Sequence, residues 1–180
     1  MQPDTDVLIA NLAKTQSGFL RAADSVTALQ WKMEPSEGRW SAAELVAHLM
    51  MVERAVIGKA DRLSQKTPKR VSFLKRIHAP IVLGEVRLIR LKSPIPVDPQ
   101  LLRDKEAMLA ELREVRERSV AFLEETRGRD LSAYCWPHPA LGTLNTYGWM
   151  RLIAAHEIRH TKQMREIAAS LPKVIESLQK

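Results

Sequence analysis

An all-α fold, an up-down four-helix bundle, is predicted by three features of this 180-residue chain. Apolar residues recur at spacings of three and four over four long stretches, strand-like alternation is scarce, and capping residues, proline or glycine punctuate the stretches. The length is that of one ordinary domain, residues 1–180, enough to bury a core without crosslinks. The single cysteine, Cys135, excludes an intramolecular disulfide. With no secretory-type leader and no apolar run near the roughly 18 residues of a membrane span, a cytoplasmic protein with no membrane role is expected.

The first helix is expected over about residues 5–33, where Leu8, Leu12, Thr15, Phe19, Ala22, Val26 and Leu29 make a four-three seam ended by Pro35 and Gly38. The second opens at Ser41, which forms a capping box with Glu44, while Trp40 and Leu45 close a hydrophobic staple around it. Asp98 as N-cap and Pro99 in the first turn predict the start of the third helix. That helix is expected to bury Leu101, Leu102, Met108, Leu109, Leu112, Val115, Phe122 and Leu123 and to stop near Gly128. The fourth spans about 144–170, after loop-like sequence holding Cys135 and His138.

Between the second and third helices lies a long basic crossover, residues 65–97, too long for a structureless connection and expected to hold a short helix on each side of Pro80. Lys66, Lys69, Arg70, Lys75, Arg76, Arg87, Arg90 and Lys92 stand there against Glu85 alone, a net +7 that equals the excess of the whole chain. Such a patch attracts anions in general. No nucleic-acid-binding motif and no interleaved aromatic beyond Phe73 accompany it, so a solvated crossover is the favoured reading.

Chemistry points to three histidines. His156 and His160 are four apart, so on a helix they stack one turn apart on the face that carries Trp149, Leu152, Ile153, Met164 and Ile167. His48 sits likewise among Leu45, Leu49, Val52 and Val56, which makes it the third candidate ligand. A lone histidine on an apolar face is usually a hydrogen-bonded core residue; three, two of them at ligand spacing, favour a metal site. Neutral imidazole suits zinc, nickel, copper or iron, and three protein ligands leave positions open for water or substrate.

His156-Glu157-Ile158-Arg159-His160 also spells the zinc-protease motif His-Glu-x-x-His, whose glutamate is a general base. The peptidase reading is disfavoured, because no histidine or aspartate follows His160 to serve as a downstream ligand. Glu157 is expected on the solvent side of its helix and is a weak catalytic candidate. His138 is the other: a substrate contact, or a residue whose hydrogen bonds fix the turn at Pro139. Glu44, one turn before His48, offers a carboxylate to orient that ring, though its cap explains it equally well. Cys135 is read as a lone small buried thiol, although its place in the loop entering the last helix leaves a redox or ligand role as the alternative.

Trp31, Pro35, Gly38, Trp40-Ser41, Glu44 and His48-Leu49, followed by His138-Pro139, Gly142, Trp149, His156, Arg159-His160 and Gln163, resemble the DinB superfamily with its YfiT-like metal-dependent hydrolases. The resemblance runs from about residue 8 to 168. It implies a four-helix bundle, a three-histidine site for nickel or zinc at His48, His156 and His160, and homodimers. It also implies one of two chemistries: hydrolysis, or transfer of a low-molecular-weight thiol such as bacillithiol or mycothiol. The expected function is thus a metal-dependent enzyme that turns water or a thiol against a small-molecule substrate. The alternative is a non-catalytic metal-binding or stress-related protein whose segment 65–97 contacts nucleic acid or another anionic partner.

Overall fold

The computed structural model of the protein describes residues 4–68, 80–81 and 97–172. Four helices carry the fold: α1 (Thr5–Asp24), α2 (Ala42–Ser64), α3 (Lys105–Glu125) and α4 (Thr146–Ser170), with a hairpin of β1 (Cys135–His138) and β2 (Gly142–Asn145) ahead of the last. None of the helices described is long and apolar enough to cross a membrane.

α1 starts where Asp4 accepts a hydrogen bond from the Asp6 N–H, and it buries Leu8, Leu12, Phe19, Ala22 and Ala23. It ends at Asp24, well short of the expected residue 33. The Gln30 carboxamide oxygen takes the Thr27 N–H at 2.9 Å and its hydroxyl at 3.0 Å, giving the backbone a local alternative to the helix. Leu29 consequently leaves the seam and is 72% exposed, whereas Val26 and Trp31 stay buried.

The capping box of α2 forms as expected: the Glu44 N–H donates to Ser41 Oγ, and Glu44 Oε2 accepts from the Ser41 N–H at 2.8 Å. Trp40 packs on the core cluster that contains Leu45, as a staple requires. The start of the third helix is a correction. Asp98 caps only a 3-10 turn, Pro99–Leu101; extended backbone at Leu102 then breaks the chain, and α3 begins after its own cap, Asp104. Leu101 is therefore exposed rather than in the core. α3 gives way at Thr126, just before Gly128, whose φ of +82° suits a residue without Cβ.

A second correction concerns Cys135 to His138, which form a strand rather than a loop. The antiparallel register sets Trp136 against Leu144 and His138 against Gly142. β2 runs straight into α4, where Asn145 caps the Gly148 N–H at 2.8 Å. A Cβ on Gly148 would lie 3.3 Å from that Asn145 oxygen and 3.4 Å from Leu144 Cβ, so a larger residue at this strand-to-helix corner would press on the cap.

Two apolar clusters share the bundle. One holds Phe19, Trp31, Leu45, Met108 and Met164; the other holds Leu8, Ile57, Phe122, Leu144 and Ile153. Each fully buried side chain of this size contributes roughly 1.5–3 kcal/mol. The order in which each helix crosses the two clusters shows that α1 and α4 run one way and α2 and α3 the other. α1 packs along α4 and α2 along α3, so that α1 and α2, and likewise α3 and α4, face each other across the diagonals. In this up-down-down-up order the end of α2 and the start of α3 lie at opposite ends of the bundle, which is why consecutive parallel helices need a long connection. Apart from Lys66, the basic residues of that connection lie outside the described residues, as do nearly all of the short helices expected there.

Candidate metal centre

Between the two apolar clusters, α2 and α4 present His48, His156 and His160 to one point. His48 Nε2 lies 3.2 Å from His156 Nε2, which lies 3.0 Å from His160 Nε2. Nitrogens bound at about 2.0–2.1 Å to one ion stand about 3.0 Å apart at right angles and about 3.4 Å apart in a tetrahedron. Both separations fall within that range, and all three ligand atoms lie within 4.8 Å of one another, so one ion can reach the three. This brings together all three residues singled out by helical spacing.

The surroundings prepare the rings as ligands. His160 Nδ1 lies 2.9 Å from Gln163 Oε1, an acceptor, which places the ring proton on Nδ1 and the lone pair on Nε2, toward the other rings. Trp40 covers the apolar side, its ring 4.9 Å from that of His48 and 6.3 Å from that of His160. Burial pushes the His48 pKa down to about 4. Burial likewise holds His156 well below the usual histidine range, helped by the nearness of His160 and His48. Both are neutral at pH 7, as metal ligation demands. His48 Nδ1 is buried with no hydrogen-bond partner among the described residues, so Glu44 does not orient it; that carboxylate is committed to the cap. All three rings stand largely away from bulk solvent: His48 and His160 are 8% and 6% exposed, and burial is the main cause of the lowered His156 pKa.

His138 is not in the triad. Its Nδ1 accepts the Ala140 N–H at 3.1 Å and the Leu141 N–H at 3.0 Å, which fixes the turn at Pro139 and leaves the ring proton on Nε2. Its ring lies 5.3 Å from Trp149, which stacks on Trp136 at 5.1 Å. His138 is near enough to His156 for its charge to be felt there. Cys135, half-buried, directs its thiol to the Ser132 carbonyl at 3.5 Å.

Glu157 overturns the expectation of a solvent-facing residue. Successive residues of a helix point about 100° apart, so with His156 turned to the other rings Glu157 turns into the bundle, where it is 1% exposed. Its Oε2 accepts from Arg116 Nη2 at 3.0 Å and from the Thr15 hydroxyl. Arg116 also grips Glu53 with two nitrogens, at 2.8 and 3.0 Å. Burial raises the Glu157 pKa, while the Arg116 charge and the Thr15 bond pull it back. Sequence reasoning missed the grouping of Arg116, Glu53 and Glu157, and gave Gln163 no role beyond its part in the family resemblance. A signal was present: Arg116 and Ser119 sit on the same stripe as Leu112, Val115 and Phe122, where a solvated helix carries no charge.

Comparison with known proteins agrees with this architecture. The uncharacterized protein YuaE of Bacillus subtilis (strain 168) is 27% identical over 135 residues, 74% of this chain and 80% of its own length. The crystal structure of TT2238, a four-helix bundle protein, superposes with a TM-score of 0.60 at 18% identity, covering 91% of this chain and 99% of that one. The sequence profile of the DinB superfamily matches residues 11–164, most of the chain, and the protein belongs to that superfamily.

Proposed function

We propose that this protein is a metal-dependent enzyme in which His48, His156 and His160 hold one divalent ion, nickel or zinc, against a small-molecule substrate. The observation that carries the reading is the convergence of three imidazole Nε2 atoms, with separations of 3.0 and 3.2 Å about His156, beside the Trp40 ring. A divalent ion held there supplies Lewis acidity that brings a coordinated water or thiol toward ionisation near pH 7. The chain's own residues do the rest. Gln163 orients His160, and Trp40 lays its ring against those of His48 and His160. His138 offers a fixed N–H donor on Nε2 to an acceptor group of the substrate, near His156. A cytoplasmic homodimer belongs to the same proposal.

Metal analysis of protein purified without added metal tests the centre: one equivalent of nickel or zinc is expected, and none after all three histidines are replaced by alanine. Electrophile panels, run with and without a bacillithiol-like or mycothiol-like thiol, then separate the chemistries. Turnover that requires the thiol assigns a transferase, and turnover without it a hydrolase. No turnover in a metal-replete protein on either panel counts against catalysis.

A further inference from the structure

Arg116 lies in the layer between the two apolar clusters and is 3% exposed. From α3, its guanidinium reaches each of the other helices. Nε and Nη2 bind both oxygens of Glu53 on α2, Nη2 also binds Glu157 on α4, and Nη1 donates to the Leu12 carbonyl on α1. Ser119 adds a hydroxyl to Glu53 at 2.6 Å, and Thr15 adds one to Glu157.

A buried charge cluster of this kind gains little over well-packed apolar residues, because desolvation of the ions offsets their attraction. Its effect is directional. Leucine and methionine layers pack in several registers, whereas a two-pronged guanidinium holds its carboxylates at one height and one angle. The carboxylates it holds are sequence neighbours of the histidines. Glu157 lies between His156 and His160, and Glu53 follows His48 by little more than one turn on α2. A slip of one residue along a helix is about 1.5 Å. That is half of the 3.0 Å edge between His156 and His160, and far beyond the tolerance of about 0.2 Å in ligand distances.

We propose that Arg116, clamped by Glu53 and Glu157, is the positioning device of the metal centre: it sets the relative height and rotation of α2 and α4 so that His48 meets the His156–His160 pair. The glutamate of the His-Glu-x-x-His sequence then serves the site from behind, through Arg116, rather than as a base in front of it. This rests on the three-histidine metal reading above.

Co2+ is the probe, since its visible spectrum reports coordination geometry without any assay of turnover. Wild type is compared with Arg116→Lys, which keeps the charge but not the fork, and with a triple Glu53→Met, Arg116→Met, Glu157→Met variant, which replaces the layer by apolar volume. In the triple variant the hydroxyls retain second acceptors, Thr15 at the Leu12 carbonyl and Ser119 at that of Val115. Both variants are expected to stay helical, to bind Co2+ about 10–100-fold more weakly and to show an altered spectrum. Unchanged affinity and spectrum in a folded variant would overturn the clamp alone, and if the triple variant does not fold, Arg116→Lys decides. Loss of the fold in both would also overturn it, because the layer would then be holding the bundle together rather than setting the site. Wild-type protein that binds no Co2+ overturns the metal reading itself, which keeps the two failures distinct.

Discussion

Replacing Arg116 alone by methionine removes the guanidinium that pairs two buried carboxylates, Glu53 and Glu157, each bonded to it at 2.8–3.0 Å. Breaking a buried pair from one side costs about 3–5 kcal/mol, because a charge is left in the core without its partner. Against a total stability of about 5–15 kcal/mol, that is a large fraction. In a domain of this size, where 1 kcal/mol shifts Tm by about 2–4 °C, the midpoint should fall by about 6–20 °C. Thermal unfolding followed by circular dichroism in the presence of a chelator measures this without a contribution from bound metal. The deficit should also depend on pH. Burial already raises the Glu157 pKa, and the Arg116 charge is what opposes that rise. Without Arg116 the carboxyl is raised further, so the folded variant holds a proton that its unfolded chain releases, and its stability is lost as pH increases. The gap between variant and wild type should therefore be wider at pH 8 than at pH 5. A midpoint within about 2 °C of wild type at both pH values would refute this account of the layer.

Alanine at His48, His156 or His160 should each abolish stoichiometric metal binding while far-UV helicity persists; a triple variant that retained one equivalent would remove the site. In metal-free protein, the His48 pKa of about 4 against an unfolded value of 6.5 means that the unfolded chain binds the extra proton. Stability from this group should accordingly be full above about pH 6.5 and fall by roughly 3 kcal/mol as pH drops toward 4. Urea unfolding of wild type and His48→Gln across that range checks it, and parallel pH profiles would speak against the assignment. Neutralising Lys66, Lys69, Arg70, Lys75 and Arg76 should weaken any polyanion affinity and leave metal content unchanged. Metal lost with those charges would make the segment part of the site.

How much was legible in the sequence depends on the range of the interaction. The four helices, the capping box at Ser41 and Glu44, and the inward faces of His48, His156 and His160 follow from periodicities of three and four and from local caps, which a chain expresses within one or two turns. The places where local signals misled are those where two of them compete. Asp98 and Pro99 are a sound helix start, yet they begin only a 3-10 turn, because extended Leu102 intervenes and Asp104 caps α3. The seam through Leu29 continued on paper past the point where Thr27 and Gln30 fold the backbone on themselves.

The tertiary structure alone decided three matters. Short strands at Cys135–His138 and Gly142–Asn145 gain their bonds only from each other, so neither carries a signal in isolation. The up-down-down-up order is a property of how four similar amphipathic faces choose partners, and amphipathicity does not name the partner. Glu157 shows the same limit at one residue: its charge predicted solvent, and only the arrival of Arg116 from α3 and Thr15 from α1 makes its burial tolerable. Which way a side chain points is written in the spacing of its own helix; what it meets there is written in the three others.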